Sequence, residues 1–262
     1  MRNLLLLGLF ITTLHVGAAT VTVGRFDVHV TGALSQGDSE RIVAEIVAIQ
    51  PISRENYVLP YMLTIDSPGG DINEALRMAQ LVRAAHMDVV VPKQATCASA
   101  CFFVYLAGQS RAASGADEIR AEGAARSLGA VGIHRPYYRK NVGGPTAAVK
   151  QEELMSAVVD VLKKERVPQA LVEEMMARPS SELYWLDARD LRMLGRYRAG
   201  VEEELIENCG YSRRREQAMS AKEFIADSNS GVGACVRNHI ATTYNTPRAE
   251  AFARMRSGWR PW

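Results

Sequence analysis

Three short segments of this chain carry the residue types that acyl-transfer chemistry needs. The first is Ser-Pro-Gly-Gly at 67–70, the second is a serine between two cysteines at 97–101, and the third is Gly-Ile-His-Arg-Pro at 132–136. Glycine amides can hold a developing oxyanion, a serine hydroxyl can act as nucleophile, and a histidine can take its proton. No single segment justifies this interpretation, but their order and spacing together predict it.

The first segment lies between a predicted strand and a predicted helix. An apolar run at 61–65 is typical of a strand, the Ser-Pro-Gly-Gly break ends it, and a helical pattern follows from Asp71 to Val82. Free amide N–H groups at such a junction favour negative charge. A phosphate could use the same geometry, but the chain has neither a Lys-Ser/Thr pair after the glycines nor a Gly-x-Gly-x-x-Gly motif. A plain tight turn is the alternative.

Ser99 follows a second predicted strand, Asp88 to Val91, and opens an apolar helix from Ala100 to Leu106. A serine at a helix start is most often an N-cap, which is the structural alternative. Two features favour a nucleophile. The small side chains of Ala98 and Ala100 leave room for a substrate carbonyl, and the Ala100 amide is placed to join a glycine amide around an oxyanion.

His134 is the best placed of the five histidines, because it ends a predicted strand, Ala130 to Ile133, beside a glycine-rich loop. A buried, hydrogen-bonded structural histidine is the alternative. The other four histidines have less suitable positions. His15 lies in the predicted signal peptide, and His29 lies inside a predicted strand. His86 lies at a helix C-terminus, where the dipole favours it, and His239 lies in the C-terminal tail.

The order strand, Ser-Pro-Gly-Gly, helix, then strand, loop, serine, helix, then strand and His-x-Pro resembles the proteolytic subunit of the Clp serine protease. That family lies within the Clp/crotonase superfamily, and the chain is most similar to exported bacterial relatives whose nucleophile is flanked by cysteines. The resemblance runs from about Phe26 to Gly195. It implies Ser99 as nucleophile, His134 as base, and the amides of Gly69 and Ala100 as the oxyanion hole.

The third member of the triad departs from the family pattern. Where the resemblance implies an aspartate just before an aromatic residue, alignment on Trp185 places Leu183, and Glu182 is adjacent. We expect Glu182 to orient His134, and a Ser–His dyad remains open. Asp187 is better explained as the N-cap of a helix from Ala188 to Leu194 that Gly195 ends.

The first 19 residues have the features of a signal peptide. A short basic start is followed by an apolar core at 4–13, which is too short to span a bilayer, and by Gly-Ala-Ala at 17–19. We expect cleavage after Ala19 and a periplasmic or secreted protein, with a buried first strand as the alternative. No later run reaches the length of a transmembrane helix, so none is expected in the mature chain.

The four cysteines suit an oxidising compartment. Cys209 and Cys235 are expected to bridge the C-terminal region. Cys97 and Cys101 straddle Ser99, and a bridge between them requires Cys97 to lie off the helix, because a disulfide needs a shorter Cβ–Cβ distance than a helical turn provides. Two buried free thiols are the alternative. Neither a metal site nor a cofactor is expected.

Composition and periodicity predict one α/β core with an appendage. The chain has 262 residues, 47% of them hydrophobic, and a formal net charge of +2, which indicates no nucleic-acid partner. Alternating strand and helix patterns predict a mainly parallel sheet, and the resemblance implies the repeated β-β-α spiral of the Clp/crotonase fold.

The domain bounds follow from these patterns. We expect the core at 20–200 and a helical extension at 201–262. The helix expected at 147–166 corresponds to the handle helix of the Clp subunits, which implies a homo-oligomer; packing on its own core is the alternative.

The expected function is an ATP-independent serine peptidase that acts on peptides or unfolded chains. ATP-driven unfolding is not expected, because the compartment lacks ATP and the chain lacks a phosphate loop. A non-catalytic peptide-binding or scaffold protein of the same fold is the main alternative, favoured by the missing aspartate. A crotonase-type acyl-thioester enzyme is disfavoured, because coenzyme A esters are not expected outside the cytoplasm.

Overall fold

The computed structural model describes residues 18–24, 26–49, 61–113, 130–137 and 145–261. Most of the predicted signal peptide lies outside these residues, so export and cleavage after Ala19 stay predictions. Ala19 itself is fully buried, and its carbonyl accepts a hydrogen bond of 2.7 Å from Arg41 Nη1. Cleavage after Ala19 would remove this contact.

The strands form two sheets that meet near the predicted site. In chain order the strands are β1 (Thr20–Val23), β2 (Asp27–Thr31), β3 (Met62–Asp66), β4 (Asp88–Val91), β5 (Thr96–Ala98), β6 (Arg111–Ala113), β7 (Ala130–Ile133) and β8 (Tyr184–Trp185). The larger sheet has the order β1-β2-β3-β4-β6, and the smaller one has the order β5-β7-β8. Only the β1–β2 and β7–β8 pairs among these strands are antiparallel. The prediction of a mainly parallel α/β sheet is confirmed.

The helices alternate with the strands in the first half of the chain and follow one another in the second half. They are α1 (Asp38–Ile49), α2 (Ile72–Ala84), α3 (Cys101–Ala107), α4 (Pro145–Lys164), α5 (Gln169–Ala177), α6 (Ala188–Leu194), α7 (Ala199–Cys209), α8 (Arg213–Ala218), α9 (Ala221–Asn229) and α10 (Gly231–Arg256). All seven residues of α3 are buried, so the segment just after Ser99 is fixed in the core. Asp187 caps α6 with a capping box, and Gly195 ends it, as the sequence predicts.

The helix α4 begins two residues before its predicted start and ends two before its predicted end. Its residues Leu154, Val158 and Leu162 are buried in the main core, whereas Val149 is 53% exposed. The apolar stripe therefore packs mainly on its own chain, which was the alternative to an oligomer interface. A homo-oligomer through this helix stays a prediction.

The C-terminal helices have a small apolar cluster of their own and then return to the core. The cluster consists of Tyr197, Val201, Leu205, Tyr211, Val236 and Tyr244. Near the end of α10, Phe252 and Met255 enter the main core, and Arg248 donates to the carbonyls of Ala85 and His86 at 3.1 and 2.6 Å. The extension is thus packed against the core. Within the described ranges, no helix is both long and apolar enough to cross a membrane.

Candidate active site

The Ser-Pro-Gly-Gly segment packs directly against the turn that carries Ser99. Gly69 has a φ of +97°, and a β-carbon added there would lie 2.7 Å from Ser99 Cβ and 2.6 Å from the Ala98 carbonyl oxygen. A side chain at Gly69 is therefore excluded by both the backbone conformation and the close approach. The strand β3 and the strand β5 end side by side here, because Ser67 and Cys97 form a parallel bridge.

Ser99 lies on a sharp turn between β5 and α3, with a φ of +56°. This conformation is uncommon for residues other than glycine, asparagine and aspartate, and strained residues of this kind cluster at functional sites. The turn is held by two main-chain bonds, from the Ser99 amide to the Gly132 carbonyl at 2.9 Å and from the Phe102 amide to the Ser99 carbonyl at 3.0 Å. The Ser99 side chain makes no capping bond to α3, so the N-cap explanation is wrong.

The amides of Gly70, which follows Gly69, and of Ala100, which follows Ser99, donate no hydrogen bond to any described group. The predicted donor Gly69 instead donates to Ser67 Oγ at 3.1 Å. Its role in an oxyanion hole stays a prediction, and Gly70 is the glycine whose amide is available. The sequence could not separate the two, because the Ser67 side-chain bond decides which amide is occupied.

His134 lies in the same cleft as Ser99 and is 8% exposed. Its Nδ1 is 2.9 Å from the Arg135 carbonyl oxygen. A carbonyl only accepts, so Nδ1 carries the proton and Nε2 presents its lone pair. Ser99 Oγ makes no hydrogen bond to His134 within the described residues. Catalytic hydrogen bonds are often long in free enzymes and shorten when substrate binds.

The cleft has a volume of about 580 Å³, within the range of ligand sites in proteins. Gly69, Gly70 and Ala100 line it, together with Ala33 to Ser35. Its apolar wall is formed by Phe103, Ile133, Tyr137, Met175 and Leu183. The sequence did not single out Met175, because its helical spacing only indicates a core residue.

Glu182 does not orient His134. Its side chain is 61% exposed and lies 4.0 Å from Arg178 Nη1, whereas Leu183, its neighbour, lines the cleft. The expectation of Glu182 as the third member of a triad is therefore wrong in this conformation. Ser180, Ser181 and Leu183 line the cleft while Glu182 between them does not, and the sequence has no signature of this arrangement. The Arg135 carbonyl takes the place next to His134 Nδ1.

Both predicted disulfides are present. Cys97 bridges Cys101, with a Cα–Cα distance of 5.1 Å, and Cys209 bridges Cys235. Cys97 lies on β5 rather than on the helix, as the bridge requires. The first bridge spans the turn that carries Ser99. No cluster of histidine, cysteine and carboxylate side chains suited to a metal ion occurs in the part of the chain that is described.

His86 follows the C-terminus of α2, as the sequence predicts, but its surroundings disfavour the charged form that a helix dipole would favour. Burial, together with the guanidinium groups of Arg198 and Arg248, lowers the pKa of His86 to about 4. The ring stacks on Tyr244, with the ring centroids 4.8 Å apart. Arg248 and Tyr244 come from the C-terminal extension and Arg198 lies just before it, so the local sequence around His86 reveals none of these neighbours.

Comparison with known proteins gives a partial family match. The Clp protease family model matches residues 19–116, and no curated protein matches the chain. Among solved structures, a mutant of a membrane-bound stomatin-specific protease shares 15% identity, with coverage of 70% of this chain and 83% of that one and a TM-score of 0.42. A ClpP1 mutant from Listeria monocytogenes shares 15% identity, covering 64% and 86%, with a TM-score of 0.40.

An enoyl-CoA hydratase from Mycobacterium marinum shares 17% identity, covering 92% of this chain and 96% of that one, with a TM-score of 0.41. All three TM-scores lie below 0.5, so these likenesses establish nothing about activity. The family match includes the Ser-Pro-Gly-Gly segment and the Ser99 turn, and the architecture is the α/β arrangement that the resemblance implies. Over residues 19–116, which are less than half of the chain, the protein is similar to the Clp protease family.

Proposed function

We propose that the protein is a serine hydrolase, acting as an ATP-independent peptidase through an acyl-enzyme on Ser99. The observation that carries the proposal is the Ser99 turn. It combines a positive φ and a side chain free of capping bonds, and it lines a cleft with Gly70 and Ala100, whose amides donate to no described group. His134, with Nε2 free to act as base, lines the same cleft.

The proposed mechanism assigns a group to each half of the reaction. Ser99 Oγ attacks the substrate carbonyl while His134 Nε2 takes the hydroxyl proton, and the amides of Gly70 and Ala100 stabilise the oxyanion. His134 then returns the proton to the leaving amine as the C–N bond breaks. Water, activated by the same nitrogen, hydrolyses the acyl-enzyme and restores Ser99.

We propose that the protein works in the bacterial periplasm or outside the cell. Two disulfides support this location, because they persist in oxidising compartments. Peptides or already unfolded chains are then the substrates, since ATP is not available there. An ordered cleft of about 580 Å³ accommodates only part of an extended peptide, not a folded domain.

Covalent labelling with a fluorophosphonate probe tests the proposal. The wild-type protein should be labelled on Ser99, and Ser99→Ala should not be labelled. Ser181→Ala is a matched control, because Ser181 also lines the cleft but belongs to the loop between α5 and β8 rather than to the Ser99 turn. Equal labelling of wild type and Ser99→Ala would remove Ser99 from the mechanism. Peptide mapping of the labelled protein identifies the modified residue.

A non-catalytic peptide-binding protein is the second candidate. The outward position of Glu182 and the lack of a Ser99–His134 hydrogen bond favour it. Turnover assays on casein, short peptide esters and acyl thioesters separate the possibilities. Peptide binding without labelling or turnover would establish the scaffold function, and thioester turnover would indicate crotonase-type chemistry.

A further inference from the structure

We propose that Glu74 is a positioning residue that fixes the oxyanion amide of Gly70. This inference rests on the proposed hydrolase function. Glu74 lies in the first turn of α2, four residues after Gly70, and is only 1% exposed. It does not line the cleft, so any effect on the reaction passes through the groups it binds.

Glu74 holds the start of α1 and the loop before it. Its Oε1 accepts from the Ser39 amide at 2.7 Å, and its Oε2 accepts from the Gly37 amide at 3.2 Å. Arg77 Nη1 lies 3.8 Å from Oε2. Burying a carboxylate is unfavourable unless hydrogen bonds and charge compensate it. These three contacts supply that compensation, and the two amide bonds join segments that are 35 residues or more apart in sequence.

The segment that Glu74 holds is the one that positions Gly70. The Leu34 amide donates to the Gly69 carbonyl at 2.8 Å, and the Asp71 amide donates to the Leu34 carbonyl at 2.8 Å. These two bonds flank Gly70 and leave its own amide free. A β-carbon at Gly70 would lie 2.2 Å from the Leu34 carbonyl oxygen, so the two backbones are in close contact.

The contacts form a closed brace around the oxyanion site. Leu34 sets the position of Gly70, the loop at 33–39 carries Leu34, and Glu74 ties that loop back to α2, the helix that follows Gly70. Without the carboxylate, the loop is free to shift relative to α2, and the Gly70 amide moves with it. The apolar wall at Phe103 and Met175 lies on other elements and is not affected.

The expected effect is a slower chemical step with little change in binding. A displacement near 1 Å costs about a hundredfold in rate, and loss of one oxyanion donor costs about 10²–10³-fold. Glu74→Gln keeps the size of the side chain but turns one acceptor into a donor that faces an amide donor. We expect the rate constant for inactivation by a fluorophosphonate to fall about ten- to a hundredfold in Glu74→Gln, while the affinity for the probe before reaction changes less than about twofold.

The matched control is Glu45→Gln, the same chemical change at an exposed position of α1. It should react at the wild-type rate. Assays are run well below the melting temperature of each variant, so that a purely structural role of Glu74 would lower melting without changing the inactivation rate constant. A Glu74→Gln protein that is folded and reacts at the wild-type rate constant would overturn the inference.

A second variant and a second measurement cover the remaining outcomes. Glu74→Asp keeps the charge, but its side chain is one methylene shorter and cannot reach both amides. If Glu74→Gln does not fold, Glu74→Asp should show the same fall in the inactivation rate constant. A Glu74→Asp protein that reacts at the wild-type rate would then overturn the inference. Amide hydrogen exchange of 33–39 and 67–73 should be faster in either variant than in Glu45→Gln. If the wild-type protein is not labelled at all, the proposed function fails, and this exchange measurement alone decides whether Glu74 couples the two segments.

Discussion

His134 donates its Nδ1 proton to the main-chain carbonyl of Arg135, 2.9 Å away. No carboxylate contacts the ring among the described residues. A carbonyl fixes the tautomer and the orientation of the ring as a triad carboxylate does, but it has no full charge to stabilise the imidazolium that forms in the reaction. In the proposed mechanism Ser99 and His134 therefore act without a carboxylate orienter, and we expect slower turnover than in a complete triad.

The first prediction concerns Glu182. Because its side chain is 61% exposed and faces Arg178, Glu182→Gln should change the labelling rate by less than about twofold, whereas loss of a triad's orienting aspartate costs about 10⁴-fold. His134→Gln is the comparison variant and should lose nearly all reactivity. The rates are measured with the fluorophosphonate probe. A large loss in Glu182→Gln would mean that the loop rearranges to bring Glu182 to His134.

The second prediction compares alanine substitutions at Gly69, beside Ser99, and at Gly200, in α7. Gly69→Ala should abolish labelling and lower stability, because the new β-carbon would meet Ser99 Cβ and the Ala98 carbonyl, and φ at Gly69 is +97°. Gly200→Ala is the matched control. Gly200 lies in α7 with no atom within 4 Å of its added β-carbon, so alanine should stabilise the protein by about 0.5–1 kcal/mol. Chemical denaturation measures both effects, and an active Gly69→Ala would disprove the close approach.

The sequence predicts much of the fold and the main candidates for the site. Hydrophobic runs bounded by glycine and proline mark the strands β3, β4 and β7, and residues at their ends are the usual carriers of function. His134 could be found in this way, because it follows the predicted strand at 130–133. Ser99 could be found from its place at a predicted helix start, since the sequence does not predict β5, the short strand just before it. The boundaries of helices shift by one or two residues, since capping side chains such as Asp71 decide them.

The details of the site depend on contacts between distant segments, and local patterns do not contain them. Glu74 has the sequence context of an ordinary first-turn acid on a helix, although it is buried against a loop 35 residues earlier. Glu182 and Leu183 are adjacent in sequence, and only the backbone path decides which one faces the cleft. The neutral state of His86 depends on arginines more than 100 residues later in the chain.

The third prediction is a loss of stability in acid through His86. Its pKa is lowered from 6.5 to about 4 in the folded protein by burial and by Arg198 and Arg248. Between these two pH values the unfolded chain binds a proton that the folded chain does not, so the contribution of His86 to stability falls as pH drops from 6.5 towards 4. Below pH 4 this contribution no longer changes.

The variant His86→Asn tests this effect. Asparagine tolerates the φ of +49° at this position and does not titrate. The free energy of unfolding, measured by denaturant titration at several pH values from 4 to 7, should fall more steeply with acid in wild type than in His86→Asn. Burial raises the pKa values of Asp38 and Asp88, whose effect has the opposite sign, but both proteins share it. Parallel curves for the two proteins would exclude His86 as a source of acid sensitivity.

The last prediction separates the roles of the two disulfides. Cys97 and Cys101 are buried on either side of the Ser99 turn, so their bridge fixes the Ser99 hydroxyl and the Ala100 amide. We expect Cys97→Ala/Cys101→Ala to lower the labelling rate about ten- to a hundredfold, because such placement is critical for catalysis.

The two disulfides also differ in their contribution to stability. The short loop closed by Cys97 and Cys101 contributes about 2 kcal/mol, against about 3.5 kcal/mol for the longer loop in the extension. Cys209→Ser/Cys235→Ser should therefore show the reverse pattern, with lower melting and a wild-type labelling rate. If Cys97→Ala/Cys101→Ala labels at the wild-type rate with unchanged melting, the first pair only fills space in the core, and the Ser99 turn is held by its main-chain bonds alone.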